Sequence, residues 1–158
     1  MKTTAAEAPR LDDEDAPGLA AWRAFVLANS RLMSALDEDL RREHNFTIGD
    51  YDVLINLARA PGQALRMCDL AAAVLLSPSG LTRRVERLER EGLVERARAA
   101  GDARNIESRL TPAGRRLFKK LRATHIAGVQ ERFLAHFSDA EVRTLAELLG
   151  RLSPGQDC

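Results

Sequence analysis

From Leu75 to Gly114 the chain reads LLSPSGLTRRVERLEREGLVERARAAGDARNIESRLTPAG, and no other stretch restricts the possible folds as much. Ser77-Pro78 is a helix start: a hydroxyl caps the end, and the proline at the first helical position gives up an N–H that has no partner there anyway. Leu81, Val85 and Leu88 follow at i, i+4 and i+7, so one stripe of the helix faces a core. Ser79, Thr82, Arg83, Glu86, Arg87 and Arg90 are expected on the opposite face. Gly92 ends the helix over 78–91, and Leu93-Val94 continues as strand. Two strands, 93–98 and 106–110, are expected, joined by a loop over Ala100–Asn105. Thr111-Pro112 then repeats the cap-plus-proline start. A helix anchored by leucines that turns Ser, Thr and Arg outward has the form that enters a major groove, and a basic hairpin beside it would follow the phosphates. Double-stranded DNA is the partner this stretch implies.

The remaining chain is mostly helical. Residues 1–15, rich in Ala, Pro, Asp and Glu, read as a flexible acidic arm. Trp22, Phe25, Val26, Asn29, Leu32, Met33, Leu36 and Leu40 keep a 3.6 period, which predicts a long helix over 17–42. Thr47 caps a helix over 48–59, with Asp50 at its third position, where a carboxylate favours the helix dipole. Pro61-Gly62 ends that helix. An extended piece, Ala64–Met67, and a short helix, Asp69–Val74, lead to the 78–91 helix. The helix begun at Thr111-Pro112 is expected to reach Phe137. Ser138 and Glu141 have capping-box spacing and open a last helix that ends near Leu152. Two long terminal helices around one small lobe have more apolar surface than that lobe can cover. A second copy of the chain is the expected cover, in a two-fold dimer intertwined through its ends. Two reading helices would then suit a pseudo-palindromic operator with half-sites about one DNA turn apart.

Charge distribution agrees, although the formal net charge is only +1. Residues 1–50 hold six Lys or Arg against ten acids, whereas residues 77–116 hold ten Arg against six acids. A nearly neutral chain thus carries a local basic face. No apolar run approaches the roughly 20 residues that cross a bilayer, and the acidic start is unlike a signal peptide, so a cytoplasmic protein without membrane contact is expected. The two cysteines, Cys68 and Cys158, are too far apart to suggest a disulfide framework. His44, His125 and His136 lack ligand spacing with either, and no metal or other cofactor is expected. G-x-G-x-x-G, G-x-S-x-G and H-E-x-x-H patterns are absent, as is an evident acid pair, so nothing points to an enzyme.

LSPSGLTRRVERLEREGLVER, then GDAR at the hairpin tip, then RLTPAGRRL resembles the multiple-antibiotic-resistance regulator (MarR) family, over about residues 20–152. The resemblance implies a mainly α fold with a small β-hairpin wing. It places a winged helix-turn-helix over 47–111, between an N-terminal dimerisation helix over 16–46 and C-terminal dimerisation helices over 112–153. It also implies that Asp102 and Arg104 match the family's D-x-R wing tip, in which the Asp orients an Arg entering the minor groove. Gly92-Leu93-Val94 and Leu110-Thr111…Gly114 match the exits from the reading helix and the wing. The chain departs from such sequences in having Cys68 where a Ser often caps the preceding helix, and in its longer acidic extension.

DNA contacts are therefore expected from Ser77, Ser79, Thr82, Arg83 and Arg87 on the helix and from Arg98, Asp102, Arg104 and Asn105 on the wing. An arginine fork suits guanine O6 and N7, and Ser77 can share its helix-end amides with a phosphate. Arg84, nearer the buried edge, is expected to brace the hairpin through Glu95 or a carbonyl, or to line a cleft between the two lobes. In relatives that bind small aromatic or phenolic acids this cleft is the effector site. Asp52, Trp22 and Asn29 are candidates for the same site, and His44 is a further one. Asp52 with Arg84 also resembles a urate-responsive subgroup. The chain so read is a homodimeric, effector-responsive repressor. One alternative is a redox-sensing regulator using Cys68, whose expected place at a helix start favours thiolate. The other is a helical interaction module that does not bind DNA.

Overall fold

Four helices begin where a hydroxyl accepts from the amide three residues on: Thr47 from Asp50 at 3.1 Å, Ser77 from Gly80 at 3.2 Å, Thr111 from Gly114 at 3.0 Å and Ser138 from Glu141 at 3.4 Å. Each bond supplies one of the acceptors a helix start lacks. The computed structural model describes residues 17–74, 77–99 and 102–152. Its helices are α1 (Pro17–His44), α2 (Ile48–Arg59), α3 (Met67–Ala73), α4 (Pro78–Arg90), α5 (Pro112–Arg132) and α6 (Asp139–Gly150). Its strands are β1 (Ala64–Arg66), β2 (Val94–Ala99) and β3 (Asp102–Leu110). The fold is mainly α, with a small antiparallel sheet: a winged helix-turn-helix between terminal helices.

Helix α1 runs two residues beyond its expected end and stops at Asn45, whose φ of 61° places it in the left-handed region that asparagine tolerates. Helix α5 is shorter than expected. It breaks at Phe133 (φ −123°, ψ −64°), and one 3-10 turn, Leu134–His136, brings the Phe133 and Phe137 rings to 5.3 Å. The short helix also starts earlier than Asp69, at Met67.

The sheet has the order β1-β3-β2, so the extended piece after Pro61-Gly62 is a true strand, paired Ala64 to Arg109 and Arg66 to Glu107. Strands β2 and β3 pair from Val94 with Leu110 out to Ala99 with Asp102, with a register shift between Arg98 and Ala99. Much of the expected loop Ala100–Asn105 is therefore strand, and the hairpin projects further than its sequence suggests.

Leu81, Val85 and Leu88 are buried as their spacing requires, against Val53, Leu54 and Leu57 of α2, Leu70 of α3, and Val94 and Leu110 of the sheet. Truncating such a residue to alanine costs about 2–5 kcal/mol. Leu40 of α1 and Leu121 of α5 extend this core toward the terminal helices. Two glycines hold the hairpin in place. Gly92 has φ of 69° just after α4, and a β-carbon on Gly114 would stand 2.0 Å from the carbonyl oxygen of Leu93. Arg96 on β2 pairs with Glu89 on α4 at 2.9 Å, and the Thr111 hydroxyl donates to the carbonyl of Gly92 at 2.7 Å, so wing and α4 are tied to each other.

Candidate nucleic-acid interface

Burial of the Leu81, Val85 and Leu88 stripe leaves Ser77, Ser79, Thr82 and Arg83 exposed, with Glu86 and Arg90. This is the outward face that the spacing predicts. Ser77 is the helix cap itself, its hydroxyl already accepting from Gly80. Arg98, Asp102, Arg104 and Asn105 have their backbones in β2 and β3. Their side chains lie outside the described residues.

Arg87 is placed differently from its expectation. Its guanidinium lies 5.1 Å above the Phe46 ring, Nε donates to Glu91 at 2.9 Å, and Nη1 reaches Asp50 at 3.3 Å. The bond to Glu91, together with the charge of Asp50, raises its pKa despite some desolvation. One turn along the helix from Arg83, Arg87 turns inward to α2 because a buried carboxylate and an aromatic face await it there.

Arg84 also faces α2, and its partners are there and not at Glu95 of the wing. Its Nη1 donates to Asp50 at 2.9 Å and to the Thr47 hydroxyl at 2.5 Å, while its Nε is buried without a partner. The guanidinium lies against Gly49, where a β-carbon would be 2.9 Å from its central carbon. Asp52 instead accepts from the Asn56 side-chain amide, at 3.1 Å on its carboxylate and 2.8 Å on its carbonyl. Arg84 is thus paired with Asp50 and not with Asp52.

Asp50 is the residue that sequence reading undervalued. Its place at the third position of α2 identified it only as a dipole partner. It is fully buried, and one of its oxygens accepts from the Thr47 amide and hydroxyl, both at 2.7 Å. Asp37 of α1 adds a further tie, accepting from the Ile48 amide at 2.7 Å and from Arg41 at 2.5 Å. Burial pushes the Asp37 carboxyl up, but these bonds outweigh it and its pKa is lowered.

The effector candidates are scattered within one chain. Trp22 is exposed, its ring 6.1 Å from that of Phe25, and Asn29 is exposed on the same helix. At 1.5 Å rise per residue, Trp22 lies about 33 Å along α1 from His44, the end of the helix that leads into α2. His44 bonds the Thr124 hydroxyl of α5 at 2.8 Å. Cys68 is exposed in the first turn of α3, its thiol 3.7 Å from the Asp69 carboxylate. Among the described residues no group of three or more His, Cys, Asp or Glu side chains is placed to hold a metal ion, and no helix is long and apolar enough to cross a membrane.

A reading helix seated on a three-stranded sheet, with its exposed face beside a projecting hairpin, defines a DNA-binding protein of the winged helix-turn-helix class. The MarR family profile matches residues 44–105. The chain is 30% identical over 128 residues to the HTH-type transcriptional regulator PecS of Dickeya dadantii, covering 78% of this chain and 76% of that protein. It is 32% identical over 127 residues to the homoprotocatechuate degradative operon repressor of Escherichia coli, covering 80% and 82%. Among solved structures, AbsC of Streptomyces coelicolor, a MarR family transcriptional regulator, superposes with a TM-score of 0.77 at 30% identity, covering 85% of this chain and 90% of that one. Sco3205 of the same organism, another such regulator, was solved in complex with DNA; it superposes with a TM-score of 0.82 at 25% identity, covering 97% and 94%. The chain belongs to the MarR family and is a DNA-binding transcription regulator, not an enzyme.

Proposed function

We propose that the chain works in the cytoplasm as a homodimeric repressor that a small aromatic or phenolic acid releases from a pseudo-palindromic operator. The observation that carries this reading is the bare apolar surface on both terminal elements. Trp22 is 59% exposed, Leu27 55% and Leu152 71%, joined by Phe25, Val26, Leu148 and Leu149. Large apolar side chains left bare in such numbers on terminal helices point to a surface that a partner covers. A second copy covers them and sets two reading helices at a fixed separation. Ser79, Thr82 and Arg83 then face the major groove, Ser77 offers helix-end amides to a phosphate, and Arg98, Asp102, Arg104 and Asn105 form the wing contact.

In this reading the effector site lies at the α2–α4 junction, where Arg84 keeps an unpaired buried Nε for an acid and Asp52 is close in sequence to its partner Asp50. Trp22 and Asn29 join it only from the partner copy, given their distance along α1. The Escherichia coli relative, named for an operon that degrades a phenolic acid, supports that ligand class. An effector shifts binding only by its preference for the released arrangement of the two helices.

The test is fluorescence anisotropy with the DNA flanking the protein's own gene, at two salt concentrations, with and without homoprotocatechuate or salicylate. Tight, salt-sensitive binding that an acid weakens supports the reading. Binding no tighter than to random DNA overturns it, and tight binding indifferent to every aromatic acid overturns the effector half alone.

A further inference from the structure

We infer that Asp50 is a positioning residue for DNA reading, and that Arg87 acts on DNA through Asp50 and not by touching it. This rests on the DNA-facing surface proposed above. One carboxylate, fully buried at the start of α2, takes two arginines from successive turns of α4: Arg84 at 2.9 Å on one oxygen and Arg87 at 3.3 Å on the other. The oxygen facing Arg87 also takes both Thr47 donors, so the carboxylate accepts four bonds in all. A buried charge surrounded in this way is costly to move, because any displacement strands it without donors. Leucine packing resists separation of α2 and α4 but tolerates sliding and rotation; the two-point ion pair removes those freedoms. Asp37 grips the first amide of α2 from α1, so the orientation of α4 is referred back to the long terminal helix.

Arg87 has little left to offer a base pair. Nε is bonded to Glu91, Nη1 to Asp50, and its planar face lies over Phe46. Arg83, four residues earlier, is exposed. Arginines one turn apart on one helix thus have separate tasks: Arg83 presents to DNA, and Arg87 ties down the helix that presents it.

The test is a double-mutant cycle with the full chain, comparing wild type, Asp50→Asn, Arg87→Met and the double variant. The probes are a duplex enriched from a random-sequence library by the wild type and a scrambled duplex of equal composition, titrated across salt. The readout is the ratio of the two affinities, which is independent of the fraction of chain that is folded. Each single substitution should lower that ratio about tenfold, equivalent to about 1.4 kcal/mol. The double variant should lower it no further, and the slope of log affinity against log salt should stay as in the wild type. The inference is overturned if Arg87→Met flattens that slope by about 0.9, the signature of one lost phosphate contact, and its effect adds to that of Asp50→Asn. Should Asp50→Asn fail to fold, Gly49→Ala replaces it: both charges remain, but the new methyl displaces the Arg84 guanidinium. An unchanged ratio in Gly49→Ala and Arg87→Met together would overturn the inference equally. If the wild type enriches no duplex at all, the DNA reading itself falls and this inference falls with it.

Discussion

The rings of Tyr51 on α2 and His125 on α5 lie 4.5 Å apart, tilted by 34°, with Phe118 against the other side of the tyrosine at 6.1 Å. The pair joins the terminal helices to the helix that holds Asp50. Burial lowers the His125 pKa, and its Nδ1 is enclosed without a partner. Between the ordinary histidine value and the lowered one, the unfolded chain binds a proton that the folded chain refuses. The stability contributed here is therefore complete above pH about 6.5 and is lost as pH falls through the lowered value. Urea unfolding of wild type and His125→Phe across pH 7.5 to 5 should give a steeper acid loss for the wild type. Parallel curves would remove His125 as the cause. The carboxylates Asp37 and Asp39, both with lowered pKa, add their own loss only near and below pH 4, outside this window.

Asp39 of α1 is the other buried carboxylate among the described residues, and it joins the terminal helices directly. Arg132 of α5 bonds both its oxygens, one at 3.1 Å, and Arg42 bonds it at 2.7 Å. Burial raises its pKa, and the two arginines outweigh that effect. Arg132→Ala should cost about 1–2 kcal/mol, below the roughly 3–5 kcal/mol for a fully dry pair, because the Arg132 side chain is 32% exposed. Denaturant unfolding measures this. A loss under a few tenths would mean that Arg42 alone satisfies the carboxylate.

Gly114→Ala should destabilise by about 2–3 kcal/mol or prevent folding. The new methyl would meet backbone, the Leu93 carbonyl, and not a side chain that can swing away. Gly150→Ala is the control, since nothing stands within 4 Å of its β-carbon position. Equal stability of the two variants would contradict the close approach of α5 to the backbone just before β2.

What could be read in the sequence was local. Ser77-Pro78, Thr111-Pro112 and the Ser138–Glu141 box each depend on residues within one turn, and all four expected caps hold their helices. The Leu81, Val85 and Leu88 stripe depends on spacing alone. The misplacements needed partners remote in sequence. The extended piece expected over Ala64–Met67 becomes strand β1 only because β3 pairs with it from 41 to 45 residues away, a pairing that no period announces. Arg87 belongs to the outward face on a helical wheel; Asp50, 37 residues earlier, pulls it inward. Asp50 was visible only as an N-terminal carboxylate, because its two arginine partners are set by how α2 and α4 cross. The family motifs, in contrast, reported the wing and its exits directly, as they record those tertiary demands in residue choices such as Gly114.

Arg83 and Arg104 allow the groove and wing contacts to be separated. Arg83 is exposed on the outward face of α4, and Arg104 lies on the strand that returns from the hairpin tip. A major-groove arginine bonded to a guanine contributes about 1–3 kcal/mol of discrimination, so Arg83→Ala should weaken operator binding about tenfold or more and relax preference at one base pair per half-site. Arg104→Ala should weaken binding as well, with a change in preference confined to flanking A·T content, because the minor groove distinguishes little else. Anisotropy titrations against an operator series with single base-pair changes distinguish the two. Loss of preference at the same position in both variants would mean that wing and helix read one groove, and the proposed division would fail.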